Sequence, residues 1–217
     1  GSDWIRWKVR DVAAGTDLPD EIRWSKFSGA AWLKDGSGFY YSRYDAPKPG
    51  EALTGVNRNQ KVWFHRIGTS QDADTLAYAR PDKPDWMFGA DVTDDGRFLL
   101  IYQSEGTEPK NRVFVKDLSR GDSTVEPFLD AFDASYAIVG NDGPLFYALT
   151  DQGAPRKRLV AITLGQAAPS AWKTVIAEGP RQDVLSDVTM AADRFVATWQ
   201  IDARSALRVY GLDGTLA

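Results

Sequence analysis

Cysteine is absent from all 217 residues. That removes disulfides, thiolate metal sites and a cysteine nucleophile together, and it suits a reducing or an oxidising compartment equally. Histidine occurs once, as His65 in the run VWFHRIG. A lone histidine in a strand-like run is a packing or hydrogen-bonding residue unless a positioned partner makes it a base. No G-x-S-x-G elbow occurs, so the nucleophile turn of an α/β-hydrolase is missing from these residues. No apolar run approaches the ~18 residues of a membrane span, and no secretory-leader pattern opens the chain. Charge of one sign is lacking too: 26 basic and 30 acidic side chains are mixed throughout, for a net charge of -4. A nucleic-acid groove needs a basic stripe, so no nucleic acid and no membrane is expected as a partner. The expectation is a soluble chain, cytoplasmic or periplasmic, whose compartment the sequence does not fix, with no cofactor or metal implied. Asp91, Asp94 and Asp95 cluster, but without calcium-loop spacing or its closing Glu, so they read as turn formers.

What is present is a chain 43% hydrophobic and 12% aromatic, enough for one substantial core or two small ones. Its most informative stretch is 85–118. An apolar strand at 87–92 runs into Asp94-Asp95-Gly96, a second strand returns over 97–103, and a polar loop leads to a third at 112–118. Asp-Gly between apolar runs signals a hairpin, with positive φ expected at both central residues. Both faces of the returning strand are apolar (Phe98, Leu100 and Tyr102 against Leu99 and Ile101), so the sheet is expected to be covered on both sides.

The unit recurs. Turn residues Gly36, Gly96, Gly143 and Asp193 are separated by 60, 47 and 50 positions, and third strands begin at 62, 112, 158 and 206. A period near 50 built from four short strands is the signature of β-propeller blades. Strands are expected at 4–12 and 21–24, with a turn region at 13–19 between them. They follow at 27–33, 38–43, 61–67 and 75–80; at 87–92, 97–103, 112–118 and 125–129; at 136–139, 145–149, 158–164 and 172–177; and at 184–190, 194–201 and 206–212. No amphipathic helix of ten residues is evident. The fold class is therefore all-β: a partial propeller of four-stranded antiparallel blades, an open arc from a larger ring. Residues 1–24 are the end of a blade, 25–84, 85–131 and 132–183 are full blades, and 184–217 is incomplete, as in a piece of a longer chain. Arg156-Lys157-Arg158 reads as a solvated edge. The tryptophans of strand patterns (Trp4, Trp7, Trp24, Trp63) read as blade packing.

Several stretches then resemble one family in register along essentially the whole chain: Gly1-Ser2-Asp3-Trp4, Leu18-Pro19-Asp20, Lys26-Phe27-Ser28, Ala31-Trp32 with Asp35-Gly36 and Phe39-Tyr40-Tyr41, then QKVWFHRIGTSQDAD, PDKPDWMFGADVTDDGRFLL, SEGTEPKNRVFVKDL and DVLSDV. They resemble the propeller of prolyl oligopeptidases. The resemblance implies a seven-bladed propeller capping an α/β-hydrolase domain with a Ser, Asp, His triad. This chain would hold the end of the second blade, blades three to five and most of the sixth. The implied enzyme is a serine peptidase cleaving short peptides after proline. The implied partners are an oligopeptide substrate and the hydrolase domain of the same chain, and these 217 residues alone are expected to be inactive. The implied substrate-facing positions are Phe27, Met87, Ser104 and Thr107. Phe27 and Met87 keep the apolar character of the subsite for the residue two before the proline. Thr107 stands where some members carry Cys, and Ser104 where well-known members carry Arg, so a positive charge is missing. The Pro- and Gly-rich loop 45–60 is expected to gate entry. The competing reading is a non-enzymatic propeller that binds a protein or peptide, which fold alone does not separate from the first.

Overall fold

The computed structural model describes residues 3–51 and 55–217, and the described residues form five antiparallel sheets with every strand beside its sequence neighbour. The first pairs β1 (Ile5–Asp11) with β2 (Thr16–Ser25). The second runs β3 (Ala31–Trp32), β4 (Gly38–Arg43), β5 (Lys61–Arg66), β6 (Thr75–Tyr78). The third runs β7 (Trp86–Val92), β8 (Phe98–Glu105), β9 (Asn111–Asp117), β10 (Glu126–Leu129). The fourth runs β11 (Tyr136–Asp142), β12 (Leu145–Thr150), β13 (Arg158–Thr163), β14 (Lys173–Ile176), and the fifth β15 (Val184–Ala191), β16 (Arg194–Ile201), β17 (Arg204–Gly211). The expected grouping of two, then three fours, then three is what forms. Helix among the described residues is limited to 3₁₀ turns at Gln71–Ala73 and Pro169–Ala171.

The chain divides into two compact units, residues 1–108 with 114–126, and residues 109–113 with 127–217. In the first, Leu99 and Ile101 pack with Val62, Phe88 and Phe114, all buried. Tyr78 sets its ring edge-on to Phe88 at 5.4 Å. A second cluster joins Ile22, Phe39 and Tyr41, with Trp7 and Trp63 against it. In the second unit one continuous cluster runs from Tyr147 and Leu159 to Leu185, Phe195 and Trp199. Leu99, Leu100 and Ile101 are all buried, which only a strand covered on both faces achieves.

Turn chemistry differs in detail from expectation. At Leu33–Gly38 and Thr93–Phe98 the glycine N–H bonds three residues back (Gly36 to Leu33 O, Gly96 to Thr93 O) and the flanking residues close the loop. Only the glycines take positive φ, 71° and 75°. This is a four-residue loop around a type I turn, rather than a pair of left-handed residues. Asp35 and Asp95 each accept the N–H two residues on, from Ser37 and Arg97 at 2.9 Å. The left-handed pair occurs instead at Asp202 and Ala203, between β16 and β17.

Three further expectations need correction. The strand placed at 27–33 shrinks to Ala31–Trp32. Phe27 is left-handed (φ 52°), and the Ser42 N–H is taken by Ser28 Oγ at 2.8 Å in place of a backbone carbonyl. The turn region placed at 13–19 ends early, because β2 begins at Thr16. Its register jumps from Lys8↔Glu21 to Arg10↔Asp17, and Pro19, which has no N–H to give the ladder, lies in that bulge. Arg158 opens an interior strand rather than an edge, and Arg156 pairs with Glu178 at 3.3 Å.

Candidate functional site: a depression between the second and third sheets

The only histidine cannot act as a base. Its side chain is 0% exposed. Nδ1 faces Asp74 Oδ1 at 2.7 Å and Nε2 faces Asp20 Oδ1 at 2.9 Å, so neither nitrogen is left for a substrate. Asp20 reaches it because the β2 bulge turns that carboxylate inward. Tyr41 donates its hydroxyl to Asp74 Oδ2 at 2.5 Å, and burial with that carboxylate pushes the phenol well above its usual range. Among the described residues, no group of three or more His, Cys, Asp or Glu side chains is placed to hold a metal.

Of the four positions singled out by the sequence, the structure brings Phe27 and Met87 together. Both line a depression of about 220 Å³, with Tyr44, Asn57, Trp86 and Gly106 among the other walls. Phe27 is 63% exposed, outside any strand, so it is not inner-strand core. Met87 is half-buried on β7 and pairs directly with Ser104 of β8, which places both side chains on one sheet face. Thr107 is exposed and does not line the depression, although its neighbour Gly106 does. Two of the walls missed by the sequence reading, Tyr44 and Asn57, come from just before loop 45–60 and from its far side.

That loop is fastened at several points, and residues 52–54 of it lie outside the described residues. Lys61 grips Asp45 at 2.7 and 2.8 Å across the loop base. Arg58 makes a forked pair with Asp85 at 2.8 and 3.2 Å on the rim of the depression. Lys26, buried, lies 3.9 Å from the Trp4 ring centroid and donates to Asn57 Oδ1 at 3.3 Å. Aromatic and thioether walls with one amide, Asn57, and one carboxylate, Asp85, can hold an apolar side chain.

Repeated four-stranded antiparallel meanders, each strand beside its sequence neighbour, define a partial β-propeller domain. The chain belongs to the prolyl oligopeptidase family: residues 1–216 match the family described as prolyl oligopeptidase, N-terminal beta-propeller domain. It is 35% identical over 216 residues to the prolyl endopeptidase of Elizabethkingia meningoseptica, covering 100% of this chain and 30% of that protein. Prolyl oligopeptidase A of Amanita bisporigera is 32% identical over 206 residues, 91% of this chain and 27% of that one. Prolyl oligopeptidase B of Galerina marginata, bound to a 35mer hydrolysis and macrocyclization substrate, superposes with a TM-score of 0.88 at 30% identity, covering 100% of this chain and 32% of that one. The chain thus spans about 30% of the length of such relatives, within their propeller, and the catalytic domain lies outside these 217 residues.

Proposed function

We propose that the full-length protein is a serine-type peptidase that cleaves short peptides after proline, and that this propeller portion selects which peptides reach its active site. The observation that carries the reading is the match of the whole chain to the propeller of prolyl endopeptidases at 35% identity. The propeller acts by exclusion: it admits extended oligopeptides, turns away folded proteins and keeps bulk water from the reaction. These 217 residues alone bind and do not hydrolyse, because the one imidazole is sealed between two carboxylates.

Phe27 and Met87 form an apolar subsite for the residue two before the proline. Their joint lining of one depression, from positions 60 apart in the chain, supports this. Ser104 lies on the same face as Met87 and offers a hydroxyl where well-known members of the family carry Arg. Thr107 borders the site through Gly106. In the full-length enzyme, Phe27→Ala and Met87→Ala should each lower kcat/KM about tenfold for a proline-containing chromogenic peptide with a large apolar residue at that position, and leave a glycine peptide unchanged. Unchanged kinetics in both variants would remove the assignment.

Loop 45–60 gates passage to the hydrolase domain. Limited proteolysis within it should speed turnover of long peptides more than short ones; a cut loop with unaltered turnover on large peptides speaks against gating.

A further inference from the structure

We infer that Gln60 is a positioning residue for the peptide subsite, setting the spacing of Phe27 and Met87; the inference rests on the subsite reading above. Gln60 is the last loop residue before β5 and is 2% exposed. Its Nε2 donates to the Lys26 carbonyl at 3.0 Å, and its Oε1 accepts the Phe88 N–H at 2.6 Å. A carbonyl only accepts and an N–H only donates, so the two partners dictate the amide's orientation. No side chain without both functions on one short plane satisfies the pair.

The two groups it joins are the backbone immediately before Phe27 and immediately after Met87. Phe27 needs this more than a strand residue would. It sits in left-handed backbone with φ 52°, ahead of β3, and no ladder holds it in register. Met87, by contrast, is fixed by its pairing with Ser104. The bridge therefore references a loosely placed wall of the depression to a rigid one. Its own base is firm: Asn59, left-handed at φ 59°, donates its N–H to the Pro84 carbonyl at 2.7 Å. Val62, two residues on, is 0% exposed in the core. A side chain held by a buried, fully paired bridge keeps a binding geometry to within the few tenths of an ångström that selectivity demands.

The test uses the full-length enzyme and two chromogenic peptides differing only in a phenylalanine or a glycine two residues before the proline. Gln60→Met matches the length and volume but removes both polar contacts. It should reduce the phenylalanine-over-glycine ratio of kcat/KM about tenfold, through KM, with kcat on the glycine peptide within about twofold of wild type. Gln60→Glu keeps the acceptor and loses the donor when ionised, and regains the donor when protonated. Its ratio should be low at pH 8 and climb toward wild type as pH falls, the pH dependence of the catalytic step cancelling between the two peptides. Phe27→Ala and Met87→Ala run alongside. If they lose discrimination while Gln60→Met keeps it, the positioning role is wrong and the subsite stands. If they keep it, the subsite itself is wrong. An equal fall in kcat for both peptides with Gln60→Met shows a structural role only and overturns the inference. Should Gln60→Met fail to fold, a ratio for Gln60→Glu that does not move with pH overturns it equally.

Discussion

Replacing His65 by leucine should loosen the joint between the first two sheets far more than loss of one side chain suggests. The imidazole is shared by carboxylates from β2 and from the segment entering β6. All three side chains are 0% exposed, and the two contacts are 2.9 and 2.7 Å. Around it, Asp20 Oδ1 also accepts the Gly68 N–H at 2.6 Å, and Asp74 Oδ2 takes the Tyr41 hydroxyl. Gln71 extends the joint by bonding both the N–H and the carbonyl of Arg23 at 3.0 Å. Leucine leaves Asp20 and Asp74 buried beside each other with no donor between them. Removing one partner of a buried ionic set costs about 3–5 kcal/mol. At roughly 2–4 °C per kcal/mol for a cooperative unit of this size, Tm should fall by about 6–20 °C. Thermal unfolding of the full-length protein at pH 7 measures this, with hydrogen exchange of residues 16–25 and 61–78 locating it. Adding Asp20→Asn to His65→Leu should recover part of the loss. A variant as stable as wild type at pH 7 would refute the reasoning.

Two further outcomes follow from the packing and the charges. Gly38→Ala places a methyl 2.4 Å from the His65 carbonyl oxygen and 2.5 Å from the Phe64 ring, whereas Gly29→Ala meets nothing within 4 Å. Urea denaturation should show the first destabilised by about 1–3 kcal/mol and the second unchanged within about 0.5 kcal/mol. The Arg97 guanidinium, and then Ser119, hold the Asp117 carboxyl down at about 2 from its ordinary 3.8. A lowered folded value means the contribution is complete above pH 3.8 and is lost as pH falls through about 2. Arg97→Ala should raise the Asp117 titration midpoint, read by carboxyl NMR, and change stability at pH 7 little, since the arginine is 42% exposed and its pair is screened by solvent. A midpoint that stays put would show that the arginine is not what holds the carboxyl down.

The strands and their grouping were legible because their signals are local. Alternation along Phe98–Glu105 and a glycine at the turn before it are set by neighbours within a few residues. The recurrence near every fifty residues then dictated propeller blades, since such sheets bury both faces only by stacking. Phe27 and Met87 were singled out only through resemblance, and the structure shows that both line one depression. Their pattern reads equally well as strand core, and Phe27 proved exposed and outside any strand. Asp20 sat beside a stretch that read as a turn, and a bulge made it the partner of a histidine 45 residues away. Gln60 looked like the tail of a polar loop, and its two partners are 34 and 28 residues distant. The amino-acid order by itself determined which segments are strands, because backbone preference and side-chain period act over a few bonds. Only the tertiary structure decided which buried carboxylates share the histidine and which amide joins the Lys26 carbonyl to the Phe88 N–H, because a buried polar group is defined by partners that the folded sheets bring to it.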